Sequence, residues 1–291
     1  MSSDIMPMTE PRPRRQRSQG SGAADAALLF DEPGPRGRIL IAIGSVVAVI
    51  GIAALAAAVL YRLDLAGQLD YPKWRYFLGQ SVVSQLLEAA GTTLTLGGVA
   101  AVLTFPLGIG LGWLRLLDNR PIKWLIGLWI DAMRAVPMLL LVYFFLLVVP
   151  RFATISDFWK LALPIVMCTS ATTAEVFRSG VRALDRGQTE AAWALGMSPS
   201  LTMRLILAPQ ALRLMLPTLI TQMVTIIKGT TLAYVLAYPE LMYRGSTMIG
   251  QAKIDAHLSV FFQTYVIIAV LYIIVNWSLG ALARYIESRT R

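Results

Sequence analysis

Asp185-Arg186-Gly187-Gln188-Thr189-Glu190-Ala191-Ala192-Trp193-Ala194-Leu195-Gly196-Met197-Ser198-Pro199-Ser200 lies between two long apolar runs. Thr189 to Met197 carries a short helical pattern, with Ala192, Leu195 and Gly196 close together on one face. Gly196 would stop that helix, and Ser198-Pro199 supplies a cap and a first-turn proline for a new one. A short helix is therefore expected outside the apolar layer, between one run and the next. Small residues on its outward face would let another protein's surface approach closely.

The flanks set the class of the molecule. Of 291 residues, 56% are hydrophobic and 15% are charged, and the mean hydropathy is +0.61. A soluble domain carries nearer a quarter charged residues. The apolar residues fall in runs long enough to cross a hydrocarbon core, which takes roughly 20 residues of helix. An all-α polytopic membrane protein with six spans is expected, at about Ile39–Tyr61, Leu86–Leu116, Lys123–Val149, Leu161–Val181, Ala211–Ala237 and Phe262–Tyr285. Residues 1–38, rich in Pro, Gly, Ser and Arg, read as a disordered basic tail, and 39–66 as a first helix ahead of a main domain over 67–291. The tail is not a secretory signal, because the run after it is too long.

An even number of spans puts both termini on one side, and the basic residues say which. With the tail inside, the inner segments hold seventeen of the 26 Lys and Arg, and the outer loops hold seven, from Arg62 to Lys253. Arg134 and Lys228 make up the remainder, both within spans. That bias predicts cytoplasmic N- and C-termini in a cytoplasmic (inner) membrane. It also accounts for the net charge of +9 as orientation and contact with membrane lipid, with no nucleic acid as partner.

Several chemistries are poorly served. His257 is the sole histidine, which argues against a His-based metal site or a Ser-His-Asp triad. Cys168, a lone cysteine in an apolar run, reads as a small packing residue. No G-x-x-x-x-G-K-[ST] loop occurs in the sequence, so ATP hydrolysis by that route is not expected of this chain. Pro106, Pro137, Pro164, Pro209 and Pro217 sit in or beside the spans, as ordinary kinks or as breaks that shape a cavity. Tyr71–Glu88, with Trp74, Tyr76 and Phe77 beside Lys73 and Arg75, reads as an interfacial elbow into the second span.

The stretch Glu190-Ala191-Ala192, then Gly196, then Ile206 and Pro209, resembles the EAA loop of permeases from ATP-binding-cassette (ABC) importers, here about residues 185–209. Ala208 departs from the leucine usual there. Ala174-Glu175-Val176-Phe177-Arg178-Ser179-Gly180 resembles the A-E-x-x-R-x-G of the polar amino acid branch (His/Glu/Gln/Arg-type). So do Ala208-Pro209-Gln210-Ala211-Leu212-Arg213 with Leu216-Pro217, Met133-Arg134-Ala135-Val136-Pro137, and Ile227-Lys228-Gly229-Thr230-Thr231-Leu232. Ala135-Val136 and Gly229 depart from that branch at positions that could border a binding site. Resemblance covers about residues 80–291 and is nearest to the glutamate permeases.

It implies a five-helix permease core plus one extra N-terminal helix, and a cytoplasmic coupling helix. Glu190, Ala191, Ala192, Trp193, Gly196 and Pro209 would dock on an ATPase and transmit its motion. The implied partners are two ABC ATPase subunits, which bind the ATP and Mg, an extracytoplasmic substrate-binding protein, and a second permease. The extra first span favours a paralogue over an identical copy. The implied transport is import of a polar amino acid, glutamate or a related one, by alternating access. This chain would hold no cofactor and catalyse nothing.

Charges within spans carry the substrate question. A charge at that depth costs several kcal/mol, about 2.5 to 3.5 on insertion scales, unless it faces a cavity or partner. Glu175 and Arg178 can pair at i, i+3. That leaves the positive Arg134, near mid-depth by residue count, and Lys228, with Gln222, Thr230 and Thr231 as nearby hydrogen-bonding groups. The cations could attract a substrate carboxylate, or could snorkel and satisfy carbonyls freed by Pro137. The same intramembrane charges permit an ion- or proton-coupled secondary transporter, although no inverted repeat of hydropathy is visible and such a carrier needs no docking helix. A membrane-embedded enzyme would need clustered His, Asp or Glu, and one histidine with one clear intramembrane carboxylate serves it poorly.

Overall fold

The computed structural model describes residues 34–290. Most of the tail expected over 1–38, and Arg291, lie outside the described residues. Helix α1 spans Pro35–Leu65, so residues 35–38 belong to the first helix and not to the tail. Proline suits this first turn because its φ is already helical and its missing N–H would have had no partner. None of the residues of α1 is buried, which suits a helix solvated by lipid.

The second unit covers Gly67–Arg291. After a short helical elbow at Tyr71–Arg75 and Tyr76–Leu78, it contains α2 (Gln80–Leu114), α3 (Arg120–Ala135), α4 (Met138–Leu147), α5 (Asp157–Arg182) and α6 (Arg186–Ala194). It continues through α7 (Ala208–Gly229), α8 (Leu241–Asp255) and α9 (Phe261–Thr290). Among the described residues every regular element is helical.

Of the expected spans, α1, α2, the run Pro199–Leu236 and Phe261–Leu282 are long and apolar enough to cross a membrane. The expected third span, 123–149, is not one helix. Arg120–Ala135 and Met138–Arg151 meet at a bend of 96°. Pro137 has no N–H to donate and its ring excludes the helical conformation at the residue before it. Val136 accordingly sits at ψ 127°, in extended backbone. Two halves at right angles cannot both follow the membrane normal, so counting depth along 123–149 does not place Arg134 at mid-membrane.

The fourth expected span, 161–181, falls within α5, which is not among the helices long and apolar enough to cross a membrane and is instead a core helix. Ala162, Ile165, Ala171, Ala174 and Phe177 are buried along it, as are Thr169, Ser170 and Thr173. A helix wrapped by other helices can carry hydroxyls on its surface, which is why its composition is less apolar than its neighbours'. Cys168 is buried on it as a free thiol.

The most extensive contact in the unit is α2 on α5. An added Cβ at Gly108 would lie 2.6 Å from the Thr173 Cβ, and one at Gly112 would lie 2.6 Å from the Ala174 carbonyl oxygen. Small residues spaced Gly-x-x-x-Gly let helix backbones approach in lipid, where burial of apolar surface supplies no drive. One turn away the Thr104 and Thr169 hydroxyls share a hydrogen bond of 2.8 Å.

At the end of the bundle opposite α6, α8 and the elbow close over α2 and α9. Phe77 of the elbow is buried with Val82, Leu86, Met248, Ala252 and Val260, so the elbow is anchored in protein as well as at an interface. Glu240 caps α8, accepting hydrogen bonds from the backbone N–H groups of Met242 (2.9 Å) and Tyr243 (2.8 Å) and from the Tyr272 hydroxyl (2.7 Å). It is fully buried. Burial raises its carboxyl above the usual range, opposed by those hydrogen bonds.

Candidate functional site

The segment after α5 is built by its caps. The Asp185 side chain accepts from the Gly187 N–H at 2.7 Å and starts α6. Gly196 ends the turn at φ +75°, a left-handed conformation that glycine adopts without steric cost. There Gly196 N donates to the Trp193 carbonyl and Met197 N to the Ala192 carbonyl, at 2.9 and 3.0 Å, the pairing that closes helix C-termini. The Ser198 hydroxyl then accepts from Leu201 N, Pro199 opens the next turn, and a π turn at Met203–Leu207 leads into α7. Gln210 at the head of α7 reaches back to Gln188 of α6 at 3.2 Å.

The helix faces the other way from the sequence expectation in one respect. Ala192 is fully buried against the chain's own body, while Leu195 is 81% exposed and Trp193 57% exposed. Ala192 therefore seats the helix, and the outward surface carries Glu190, Ala191, Trp193, Leu195 and Gly196. Pro209 is exposed at the start of α7. Behind the segment, Leu207 packs with Phe177, Val181, Ala211 and Met215. A force on α6 thus reaches α5 and α7 through packed side chains.

At the same end of the bundle one carboxylate holds two guanidinium groups. Arg115, just past the end of α2, donates to Glu175 Oε2 at 2.9 Å and to Asp131 of α3 at 3.3 Å. Arg178 also donates to Glu175, through both Nε and Nη2. The expected Glu175–Arg178 pair is present, and Arg115 and Asp131 extend it across α2, α3 and α5. Residues 60 and 16 positions apart in sequence carry no pairing signal, so neither partner is legible there.

The remaining candidates lie elsewhere. Arg134 is exposed at the C-terminal end of α3, and Lys228 is exposed in the last turn of α7. Neither makes an ion pair among the described residues. Gln222 and Thr231 are half-buried, and the Thr231 hydroxyl bonds to the Lys228 carbonyl at 2.8 Å. Thr230 is buried in the core with its hydroxyl on the Ile227 carbonyl at 2.7 Å. Three threonines not expected from the sequence, Thr218, Thr221 and Thr225, are exposed on α7 in a stripe with Lys228. Their spacing of three and four residues puts them on one helix face with Gln222, and that spacing was available to find them.

Residues 104–291 match the family model described as binding-protein-dependent transport system inner membrane component. The chain belongs to this family. Membership sets aside a carrier driven by an ion gradient alone, and it places the protein as a multi-pass component of the inner membrane. This permease is 33% identical, over 68% of its length and 89% of the relative's, to the probable glutamine ABC transporter permease protein GlnP of Bacillus subtilis. It is also 33% identical to the glutamate transport system permease protein GluD of Corynebacterium glutamicum, over 77% of this permease and 82% of that one. Among solved structures, a chain from the crystal structure of an amino acid ABC transporter with histidines shares its fold. The TM-score there is 0.64 at 24% identity, covering 72% of this permease and 95% of that chain. A chain of the MetNI methionine ABC transporter in an inward-facing conformation gives 0.62 at 15% identity, covering 73% and 99%.

Proposed function

We propose that this chain is the permease through which an ATP-driven importer moves a polar amino acid, glutamate or glutamine in class, into the cell. The observation that carries the reading is α6. A capped helix stands clear of the apolar body, bares Trp193 and Leu195, and is rooted through Ala192 and Leu207 in the helices that would have to move. Its partner on this reading is an ATPase subunit on the cytoplasmic side, which binds the ATP and Mg and does the hydrolysis. A second permease, a paralogue in view of α1, would complete the pathway, and an external binding protein would deliver substrate.

The exposed stripe of α7 supplies the path. Thr218, Thr221, Gln222 and Thr225 would be costly against hydrocarbon, so this face belongs against water or a second permease. Thr221 and Thr225 each donate their hydroxyl to the carbonyl four residues before, at 3.1 Å, and their oxygens remain free to accept from a substrate ammonium group. Lys228, at the far end of the stripe from α6, would meet a substrate carboxylate. Arg134, at the bend before Pro137, offers a second positive charge. Glu175 and Arg178 are occupied with each other and with Arg115, and act on the path by holding its inner end together.

ATP-dependent uptake of labelled glutamate and glutamine into proteoliposomes holding the full importer tests this reading. A charge-assisted hydrogen bond contributes about 1.5 to 3 kcal/mol. Lys228→Met should therefore weaken competition by acidic amino acids by about tenfold or more while the ATPase still co-purifies. Unchanged competition and rate would remove Lys228 from the path. Uptake driven by an ion gradient without ATP would overturn the importer reading itself.

A further inference from the structure

A pocket of about 410 Å³ opens beside the start of α3, at the end of the bundle that carries α6. Its walls hold four cations, Arg115, Lys123, Arg178 and Arg182, against a single carboxylate, Asp131. Glu175 neutralises part of this charge from behind by holding Arg115 and Arg178. Lys123 and Arg182 have no ion pair or side-chain hydrogen bond among the described residues, so two positive charges remain to face the cavity.

The rest of the wall is apolar and uncovered. Trp124 is 70% exposed and Leu128 is 54% exposed, and both line the same pocket. They continue along α3 into the exposed Leu125. Trp beside Lys at the first turn of a helix marks headgroup depth, where an amphipathic ring and a cation meet the membrane surface. A soluble anion would use the cations and leave the apolar wall bare, whereas a lipid uses both.

We propose that this pocket binds the phosphate headgroup of an anionic phospholipid from the cytoplasmic leaflet. Lys123 and Arg182 hold the phosphodiester, and an acyl chain lies along Trp124 and Leu128. Because Arg115 and Arg178 share the pocket with the Glu175 network, the lipid would seat on the joint between α2, α3 and α5. The proposal rests on the permease reading for its orientation in the membrane.

Native mass spectrometry of the full importer from mild detergent tests it, after exchange into phosphatidylglycerol or phosphatidylcholine. Wild type should retain phosphatidylglycerol in preference. Lys123→Ala with Arg182→Ala should lower that preference about fivefold for each cation removed and roughly thirtyfold for both. Lys123→Arg with Arg182→Lys should preserve it, which separates lost charge from lost fold. Equal retention of the two lipids by wild type would overturn the proposal, as would an unchanged preference in the double alanine variant. Displacement of the lipid by millimolar inorganic phosphate alone would also overturn it, because the site would then belong to a soluble anion. An ATPase in the same spectra reports on the permease reading independently, so the two failures are distinguishable.

Discussion

Gly112→Val should leave little monodisperse protein in detergent, while Gly110→Val, two residues away on the same helix, should be tolerated. Both changes add the same side chain in α2, so helix propensity cannot separate them. At Gly112 a Cβ meets the Ala174 carbonyl at 2.6 Å and the Phe177 ring at 3.0 Å, whereas at Gly110 nothing lies within 4 Å. The Ala174 carbonyl is backbone and cannot rotate away, so α2 and α5 must part. Overpacking costs about 1 to 3 kcal/mol at one site, a large share of a stability of roughly 5 to 15 kcal/mol. Gly108 meets the same helix at Thr173, so Gly108→Val with Gly112→Val should leave no assembled core. Size-exclusion profiles and thermal unfolding of the Gly110 and Gly112 variants decide the matter. Equal behaviour would mean that the α2–α5 contact is not as close as described.

Glu175→Ala should cost much more than Asp131→Ala, although both remove a carboxylate from Arg115. The Glu175 side chain is 20% exposed and the Asp131 side chain 59%. Removing Glu175 strands the half-buried Arg178 guanidinium and leaves Arg115 only its longer, exposed pair with Asp131. Breaking a fully buried pair costs about 3 to 5 kcal/mol, and partial exposure here reduces that to about 2 kcal/mol. The outer pair with Asp131 is a surface interaction of below about 1 kcal/mol and should weaken further in high salt. Thermal unfolding of both variants at low and high salt reads the difference. If Asp131→Ala were the more damaging, the joint between α2, α3 and α5 would be centred on the wrong carboxylate.

The sequence and the structure agree where information is local, and part where it is not. Gly196, Ser198 and Pro199 announce the end of one helix and the start of the next through their own backbone preferences, and the caps form where those residues stand. The Glu175–Arg178 pair is likewise a matter of helix spacing. Pro137 was legible as a disturbance, but a run as apolar as 138–149 looks continuous with what precedes it. Only the extended Val136 shows that the helix breaks and turns. Helix α8 falls in what the sequence presents as an outer loop, between the apolar runs 211–237 and 262–285. Its burial depends on Phe77, Met248 and Val260 meeting from three separate stretches. Ala192 was placed on the outward face because a small residue suits either a docking surface or a close approach to the chain's own body, and a helical wheel cannot tell which side is which.

The importer mechanism depends on α6 as a docking helix, and co-purification tests that most directly. Affinity-tagged wild type and a Glu190→Arg, Gly196→Trp variant would be isolated in mild detergent, and their partners identified by mass spectrometry. A tryptophan at Gly196 meets a backbone at φ +75° that costs a non-glycine residue roughly 1 to 2 kcal/mol, and the arginine reverses the charge on the exposed face. A P-loop ATPase is expected with the wild type and lost from the variant, whose unfolding temperature should fall by only a few degrees. An ATPase retained equally by both, or absent from the wild type, would contradict the docking role.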